Sequence, residues 1–262
     1  MDKTIFISGG GSGIGRAIAQ FFAARGWRVG LGDIDEAGMA ETLALLPAGS
    51  GSAHRMDVRD PAQWAEALAA FAPEGRIDAV CNDAGVAYGG PLLELAQDEI
   101  DHLIDVNFRG VLNGARAGHP YLRQAGADSC LLNIASAAAL YGTGGLAVYS
   151  ATKFALRAIT EALDSEWLPD GIKVRSLMPS FIDTPLLAGP LNHANTRSKR
   201  DIVIAAGLEF TPIEQVAQAA WDAVHSERLH TPVGRTAKKL ALVAKWAPSL
   251  ARRRAKRLMA AR

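Results

Sequence analysis

Short apolar runs alternate along this chain with longer segments in which apolar residues recur at helical spacing. The first run, TIFIS at residues 4–8, precedes a segment in which Ile14, Ile18 and Phe22 mark one helical face. The apolar runs are nearly continuous, which is typical of strands buried on both faces. The pattern therefore predicts an α/β fold, a doubly wound parallel sheet with helices on both of its faces.

The predicted elements follow one another without an internal repeat or a low-complexity linker. Strands are expected at residues 4–8, 28–33, 53–58, 77–81, 129–135, 172–178 and 228–233. Helices are expected at 14–22, 36–46, from 61, and at 97–117, 148–167 and 212–225. The alternation ends near residue 234, which predicts one domain over residues 1–234 and a basic helical appendage over residues 235–262.

Composition excludes several other classes of protein. The net charge is only +1, so the chain as a whole lacks a nucleic-acid signature. Its two cysteines, Cys81 and Cys130, lie in predicted strands, so we expect buried thiols rather than a disulfide framework, and no metal site. No stretch approaches the roughly 18 apolar residues of a membrane span. We therefore expect a cytoplasmic, soluble protein.

A glycine-rich loop follows the first predicted strand. Its sequence, SGGGSGIG at residues 8–15, places Gly9, Gly13 and Gly15 in a G-x-x-x-G-x-G spacing. Glycines let the backbone approach a pyrophosphate, which binds at a helix N-terminus. Asp33 ends the second strand, where a carboxylate binds ribose hydroxyls and repels a 2′-phosphate, and residues 34–36 contain no cation. The loop thus predicts a Rossmann-type dinucleotide site that prefers NAD.

The stretch YSATK at residues 149–153 places Tyr149 and Lys153 four residues apart on a predicted helix. Such a pair shares one face, and a nearby ammonium lowers a phenol pKa, so the phenol can exchange a proton with an alcohol. Ser136 ends a predicted strand and can offer a hydroxyl to the same oxygen. Taken alone, the pair is also compatible with a packing face that carries two polar residues.

Taken together, the motifs resemble those of the short-chain dehydrogenase/reductase family over residues 3–234. Besides the glycine loop, Asp33 and YSATK, the resemblance rests on MDV (56–58), NDAG (82–85), DVNFRG (105–110), NIAS (133–136) and MPSFIDT (178–184). They occur in the family's order and at its spacings. The resemblance implies a nicotinamide-dependent oxidoreductase that is commonly a homo-oligomer, a dimer or a tetramer.

The resemblance also implies a role for each matched residue. Tyr149 corresponds to the catalytic acid/base, Lys153 to the residue that lowers its pKa and binds the nicotinamide ribose, and Ser136 to the residue that orients the substrate oxygen. Asn107 corresponds to the holder of a water in a proton relay. For Ser136 and Asn107, ordinary strand-end and helix hydrogen bonding is the alternative. The implied cofactor contacts are Gly9, Gly13, Ile14 and Gly15 (pyrophosphate), Asp57 and Val58 (adenine), Asn82 and Ala84 (adenosine ribose), and Ile182 and Thr184 (carboxamide).

Two positions depart from the family pattern. Asp83 stands where the family usually has Asn, which puts local hydrogen bonding in doubt more than catalysis. Ser180 stands where the family often has Gly, and its side chain is expected to narrow the pocket near the nicotinamide.

The expected substrate pocket is lined by three segments, VAYGG (86–90), AAALYGTGG (137–145) and the loop after Pro179. The first two are mostly small or apolar, which favours a hydrophobic secondary alcohol or ketone. The loop over residues 184–210 is expected to be a mobile lid, and its basic cluster at 197–200 a solvated surface or a contact for an anionic substrate tail. His193 is expected to lie on the surface of this loop.

The C-terminal segment is strongly basic. Residues 235–262 contain ten Lys/Arg and no acid, which leaves 18 basic against 27 acidic residues, a net charge of −9, in the remainder. Leu240, Val243 and Trp246 are expected to share a helical face. Such a segment can contact an anionic membrane, dock on the acidic body of a neighbouring subunit, or remain solvated.

The leading functional hypothesis is an NAD-dependent dehydrogenase for a hydrophobic secondary alcohol or ketone. A 3-oxoacyl thioester reductase is an alternative within the enzymes, which Asp33 disfavours if that activity requires NADPH. A non-catalytic dinucleotide sensor that acts through its basic tail is the alternative from another class. The presence of Ser136, Tyr149 and Lys153 disfavours the sensor, since it has no use for that set.

Overall fold

The protein forms a seven-stranded, all-parallel sheet with helices on both faces, as the sequence pattern predicts. The computed structural model describes residues 2–250, 252, 253 and 256. The strand order is β3-β2-β1-β4-β5-β6-β7. The strands are β1 (Thr4–Ser8), β2 (Arg28–Asp33), β3 (Gly51–Arg55), β4 (Ala79–Asn82), β5 (Cys130–Ile134), β6 (Lys173–Pro179) and β7 (His230–Val233).

Within the described residues, ten α-helices with defined bounds accompany these strands. They are α1 (Gly13–Ala23), α2 (Glu36–Ala44), α3 (Pro61–Phe71), α4 (Gln97–Ile104), α5 (Gly110–Ala125), α6 (Ala147–Glu166), α7 (Pro185–Ala188), α8 (Lys199–Ala205), α9 (Ile213–Val224) and α10 (Arg235–Trp246). Local signals account for several starts. At α3, for example, the Asp60 carboxylate accepts a hydrogen bond from the Ala62 N–H while Pro61 occupies the first turn.

The hydrophobic core lies in two layers, one on each face of the sheet. On the first strand Ile5 and Ile7 point to one layer, which also contains Phe22 of α1. Phe6 points to the other, where it packs against Trp64 of α3. Because successive strand residues face opposite sides, a continuously apolar strand serves both layers. Cys81 and Cys130 are both buried free thiols in this core.

The order of strands reverses between β1 and β4, which leave the sheet side by side. Ser8 at the end of β1 pairs in register with Asn82 at the end of β4. The segments that follow these two strands therefore meet at the carboxyl edge of the sheet. In open parallel sheets a crevice for ligands forms at this reversal point.

Several predicted boundaries were wrong. The single helix expected over 97–117 consists of α4, a π-helical stretch at Asp105–Arg109, and α5. The expected loop over 184–210 contains α7 and α8. The strand expected over 53–58 ends at Arg55, after which the chain turns towards α3. The predicted division at residue 234 remains a prediction, although α10 packs against β7.

The described residues lack two features, a helix that could span a membrane and a cluster of metal ligands. None of their helices is long and apolar enough to cross a membrane. Within the same part of the chain, no cluster of three or more His, Cys, Asp or Glu side chains is arranged to hold a metal ion.

Candidate active site

The glycine loop after β1 is closely packed at its predicted glycines. Gly9 and Gly13 have φ angles of +78° and +53°, in the left-handed region that favours glycine. A Cβ on Gly9 would lie 2.8 Å from the backbone nitrogen of Ala84, and one on Gly15 would overlap the Gly9 carbonyl oxygen. The loop thus lies directly against the segment that follows β4.

The first turn of α1 remains open to an anion. Ser12 is the N-cap residue, yet its side chain makes no capping hydrogen bond. Backbone N–H groups of a helix's first turn, together with the helix dipole, bind phosphate groups. The half-buried Ile14 packs against the core and fixes this turn. The Thr184 side chain lies about 3.3 Å from the position of a Cβ on Gly13, so the predicted carboxamide segment borders the same loop.

Asp33 fastens the glycine loop from the end of β2. Its Oδ2 accepts a hydrogen bond from the Gly11 N–H at 2.9 Å, and its Oδ1 accepts one from the Asp35 N–H at 3.1 Å. Sequence reasoning missed a nearby cation, Arg16. Its guanidinium donates to the Gly11 carbonyl at 2.6 Å and forms an ion pair with Glu41 at 2.9 Å. The carboxylate thus binds the N–H of Gly11, and the paired cation binds its carbonyl.

The predicted adenine contacts lie in the connection after β3. The Asp57 carboxylate accepts hydrogen bonds from the Arg59 guanidinium at 2.6 and 2.9 Å, and this bonding lowers the pKa of Asp57. Val58 is buried, and its carbonyl accepts a hydrogen bond from Trp64 Nε1 at 3.0 Å. Asp57 is therefore held through its side chain and Val58 through its backbone, and Asp57 is the more exposed of the two.

Asn82 is turned into the sheet. Asn82 is 2% exposed, and its side-chain Nδ2 donates to Asn133 Oδ1 at 2.9 Å, so this side chain is occupied within the protein. Gly114 lies against its Oδ1, and a Cβ there would overlap that oxygen. Ala84 is half-buried, with its N–H directed to the Ser8 hydroxyl at 3.3 Å.

The four predicted catalytic residues converge at the carboxyl ends of β4 and β5. Lys153 is buried, its Nζ donates to the Ile134 carbonyl at 3.0 Å, and it lies 5.8 Å from the centre of the Tyr149 ring. Ser136 follows β5 in extended backbone, and its hydroxyl accepts a hydrogen bond from the Ala138 N–H at 3.1 Å. Tyr149 and Lys153 share the first two turns of α6.

Asn107 lies in the π-helical stretch between α4 and α5. Its Oδ1 accepts a hydrogen bond from the Val86 N–H and its Nδ2 donates to the Val86 carbonyl, both at 2.8 Å. The position of a Cβ on Gly85 is 3.2 Å from Asn107 Oδ1 and 3.8 Å from Lys153 Nζ, so Gly85 brings these two side chains together. A π-type widening of a helix is frequent at functional sites.

The electrostatics differ from the sequence-based expectation. In the protein alone, burial raises the pKa of Tyr149, although hydrogen bonding with Ser136 opposes the shift. The expected lowering by Lys153 was therefore wrong for this state. Burial lowers the pKa of Lys153 to about 8, which the Asp83 carboxylate opposes. Burial raises the pKa of Asp83 to about 7, which Lys153 and a hydrogen bond from the Gly15 backbone oppose.

The segment over residues 184–210 is fastened to the body of the protein. Asn192 is buried and its Nδ2 donates to the Gly89 carbonyl at 2.6 Å, while the His193 N–H donates to Glu99 Oε1 at 2.7 Å. The sequence analysis did not predict a role for Asn192 or Glu99, because each contacts a partner about a hundred residues away along the chain. The His193 ring lies largely exposed, as expected of a surface loop.

Two further side chains of this segment have protein partners. Arg200 of the basic cluster forms a two-bonded ion pair with Asp183, with both distances at 2.8 Å. It is thus engaged on the surface rather than directed at the pocket. The Ser180 hydroxyl lies 3.0 Å from Thr211 Oγ1, so this departure from the family pattern joins the two ends of the segment.

Comparison with known proteins decides the family. The family model for short chain dehydrogenases matches residues 3–194, nearly three quarters of the chain. The chain belongs to the short-chain dehydrogenase family. The oxidoreductase class and the resemblance drawn from the motifs are thereby confirmed.

Relatives within the short-chain dehydrogenases include enzymes with substrates of very different size. A 3-alpha-(or 20-beta)-hydroxysteroid dehydrogenase of Mycobacterium tuberculosis is 37% identical over 186 residues, 70% of either chain. An L-2,3-butanediol dehydrogenase of Corynebacterium glutamicum is 34% identical over 189 residues, which are 70% of this chain and 73% of that protein.

Solved structures of the family share the fold. A short-chain dehydrogenase/reductase from Burkholderia phymatum in complex with NAD is 28% identical, with a TM-score of 0.79 and 88% of each chain covered. A 3-ketoacyl-(acyl-carrier-protein) reductase from Brucella melitensis complexed with NADH is also 28% identical, with a TM-score of 0.76 and coverage of 90% of this chain and 98% of that chain. The glycine loop, the uncapped start of α1 and Asp33 fit a dinucleotide of the kind these structures contain.

Proposed function

We propose that this protein is an NAD(H)-dependent oxidoreductase that interconverts a hydrophobic secondary alcohol and the corresponding ketone. The observation that carries the proposal is the meeting of Ser136, Tyr149 and Lys153 behind the glycine loop. A binding protein without chemistry has no need for a phenol, a hydroxyl and a buried ammonium in one crevice. The non-catalytic sensor is therefore the weaker hypothesis.

The proposed roles follow from the contacts. When bound, the nicotinamide supplies the hydride chemistry. Ser136 and Tyr149 hold the substrate oxygen, and the Tyr149 phenolate takes the hydroxyl proton during oxidation or the phenol returns it during reduction. Lys153, whose Nζ donates to the Ile134 carbonyl, stabilises the phenolate by its charge and binds the cofactor ribose. Asn107 holds the Val86 backbone, so it maintains the wall of the crevice beside Lys153.

The preference for NAD over NADP is part of the proposal and rests on Asp33. Its carboxylate is held by the Gly11 and Asp35 N–H groups at the end of β2, where it repels a 2′-phosphate. A 2′-phosphate at this position would need a cation such as Arg16 as its partner, but the Arg16 guanidinium is already ion-paired with Glu41. Replacement of both acids, in Asp33→Asn with Glu41→Gln, should therefore shift the preference towards NADP, which the ratio of kcat/KM for the two cofactors measures.

A hydrophobic substrate is supported by the small and apolar residues of the walls. Ala137, Ala138 and Ala139 form a buried turn directly after Ser136. Arg200 of the nearby basic cluster is paired with Asp183. A 3-oxoacyl thioester is the second candidate. The Brucella reductase is described as complexed with NADH, so a preference for NAD would not argue against that activity.

The decisive assay is the formation of NADH from a panel of aliphatic, cyclic, aromatic, steroid and hydroxyacyl secondary alcohols, each with NAD and with NADP. Tyr149→Phe should lose about a hundredfold or more in kcat, the usual contribution of a general acid/base. The control is Tyr121→Phe, which removes a half-buried hydroxyl from the core layer under α3 and should retain turnover. Equal turnover in both variants would contradict the role of Tyr149. Binding of NADH without turnover of any alcohol or ketone would favour the sensor.

The family resemblance also predicts a homo-oligomer. Sedimentation of the full chain tests that prediction.

A further inference from the structure

The outward face of α10 carries apolar and basic side chains together. Leu242 and Trp246, four residues apart, are 63% and 75% exposed, and Leu250 beyond the helix is 56% exposed. Lys238, Lys239 and Lys245 are exposed on either side of this stripe. We call these six residues the α10 face. The opposite side of the helix packs on the protein through the fully buried Ala237.

The arrangement differs from the sequence-based expectation for this helix. Trp246 does not share the inward side with Leu240 and Val243, which are half-buried, but points outward. Lys245 lies 4.9 Å from the centre of the Trp246 ring. A Trp beside a Leu, bordered by lysines on an amphipathic helix, is the pattern of a segment that lies in the interface of a bilayer.

Charge selects the kind of surface that fits. The ten basic residues of 235–262 face no acid within their own segment, whereas the rest of the chain carries a net charge of −9. An anionic lipid surface attracts the segment and repels the body, so it also orients the molecule. Each lysine near such a surface contributes about a fivefold change in partitioning.

Helix α10 lies next to the turn that follows Ser136 of the candidate active site. The helix packs against the turn Ala137–Ala139, which directly follows Ser136. Beyond α10, a cavity of about 670 Å³ is lined by Tyr141 of the pocket segment and by Pro248, Ser249, Arg252, Arg253 and Lys256. Among the described residues, Arg252, Arg253 and Lys256 of the basic segment therefore line one surface with Tyr141 of the substrate segment.

We propose that the α10 face, with the basic residues that follow it, binds an anionic lipid surface and so presents the substrate entrance to that surface. The binding step stands on the exposed side chains and their charges alone. The second step, delivery of a bilayer-dissolved hydrophobic alcohol to Ser136 and Tyr149, rests on the proposed function.

The test is co-sedimentation of the full chain with vesicles, without substrate. Vesicles of phosphatidylcholine alone are compared with vesicles of phosphatidylcholine and phosphatidylglycerol in a roughly two-to-one ratio. Wild type should bind the mixed vesicles, and added salt should weaken binding because it screens the charges. Lys238→Gln, Lys239→Gln and Lys245→Gln combined should weaken binding by about a hundredfold. Leu242→Ser with Trp246→Ser should also abolish it.

Two further variants keep the test specific. Leu168→Ser removes a leucine that is 74% exposed, like Trp246, but it precedes the amino end of β6, whereas α10 follows the carboxyl end of β7. This variant should therefore bind as wild type does. Trp246 is highly exposed whereas Trp27 and Trp64 are buried, so vesicles should shift its fluorescence to the blue. Trp246→Phe should keep the binding and lose that shift.

Three outcomes would overturn the lipid proposal. They are failure of wild type to sediment with mixed vesicles, equal binding of wild type to both vesicle types, and unchanged binding after the three Lys→Gln changes. Loss of oligomer in the Lys→Gln variant, without vesicle binding by wild type, would instead assign the face to an acidic neighbouring subunit. Because vesicle binding needs no turnover, failure of the proposed reaction leaves this result unaffected. If the protein turns over an alcohol, the Lys→Gln variant and the Leu242→Ser, Trp246→Ser variant should keep that turnover with a water-soluble alcohol. Both should lose it with an alcohol dissolved in the vesicles.

Discussion

Asp83 offers the sharpest test of the electrostatics, because a neutral isostere exists for it. It stands beneath the glycine loop, between Gly15 of α1 and Lys153 of α6. Burial raises its pKa from 3.8 to about 7, and Asp33 adds to the shift, whereas Lys153 and the Gly15 backbone oppose it. The ionised carboxyl is therefore a cost to the folded state at neutral pH, and Asp83→Asn removes that cost.

The sign and size follow from proton linkage. The folded state binds more protons than the unfolded state between pH 3.8 and about 7, so the contribution of Asp83 to stability falls as pH rises through that window and is lost above it. The full shift corresponds to about 4 kcal/mol at 1.36 kcal/mol for each pKa unit. Asp83 is only half-buried, and part of the window lies below pH 5. We therefore expect the contribution of Asp83 to the free energy of unfolding to fall by about 1–2 kcal/mol between pH 5 and pH 8.

The assay is urea unfolding of wild type and Asp83→Asn across that pH range. The variant should gain stability relative to wild type as pH rises, by the amount above. A second effect acts in the same direction, since loss of the Asp83 charge lowers the pKa of Lys153 further below about 8. The control is Asp183→Asn, whose carboxyl pairs with Arg200 and has a lowered pKa, so its stability difference should not change above pH 5. A flat difference curve for Asp83→Asn would refute the reasoning.

Three other results are expected. Gly15→Ala should cost about 1–3 kcal/mol of stability and weaken NADH binding, since its Cβ would overlap the Gly9 carbonyl, whereas Gly142→Ala has open space and should do neither. Urea unfolding measures the stability of both variants, and fluorescence titration with NADH measures their binding. Asn192→Ala should raise KM more than it lowers kcat, because it releases the 184–210 segment from Gly89 and leaves Tyr149 in place. Steady-state kinetics on any alcohol that the protein turns over measure both constants, and an unchanged KM would contradict the prediction. The rate of alcohol oxidation should increase as pH rises towards the raised pKa of Tyr149, whereas the rate of ketone reduction, which needs the neutral phenol, should decrease. An oxidation rate that falls as pH rises would contradict the role of Tyr149 as the acid/base.

The fold was predictable because its signals are local. Continuous apolar strands such as TIFIS and the helical spacing after them specify a covered parallel sheet, and Asp60-Pro61 marks the start of a helix. The glycine loop was also readable, since Gly9 and Gly13 adopt backbone angles that other residues rarely take. The motif order then identified the family, and with it the residues that meet around Tyr149.

Other parts of the candidate site were not readable from sequence, because they depend on residues distant along the chain. The ion pair of Arg16 with Glu41 and the attachment of Asn192 to Gly89 join different elements whose side chains meet only after folding. The π-helical stretch that presents Asn107 was hidden in a continuous helical pattern.

By itself the sequence determined the sheet, the dinucleotide loop and the residue types of the chemistry, since each is encoded in a short run with its own backbone or periodicity requirement. Only the tertiary structure decided the protonation behaviour of that chemistry. The four-residue spacing of Tyr149 and Lys153 predicted a lowered phenol pKa, yet burial raises the pKa of Tyr149. The Lys153 ammonium donates its hydrogen bond to the Ile134 carbonyl. A pKa sums desolvation and charge over every neighbour in space, and those neighbours come from strands and helices that only the fold brings together.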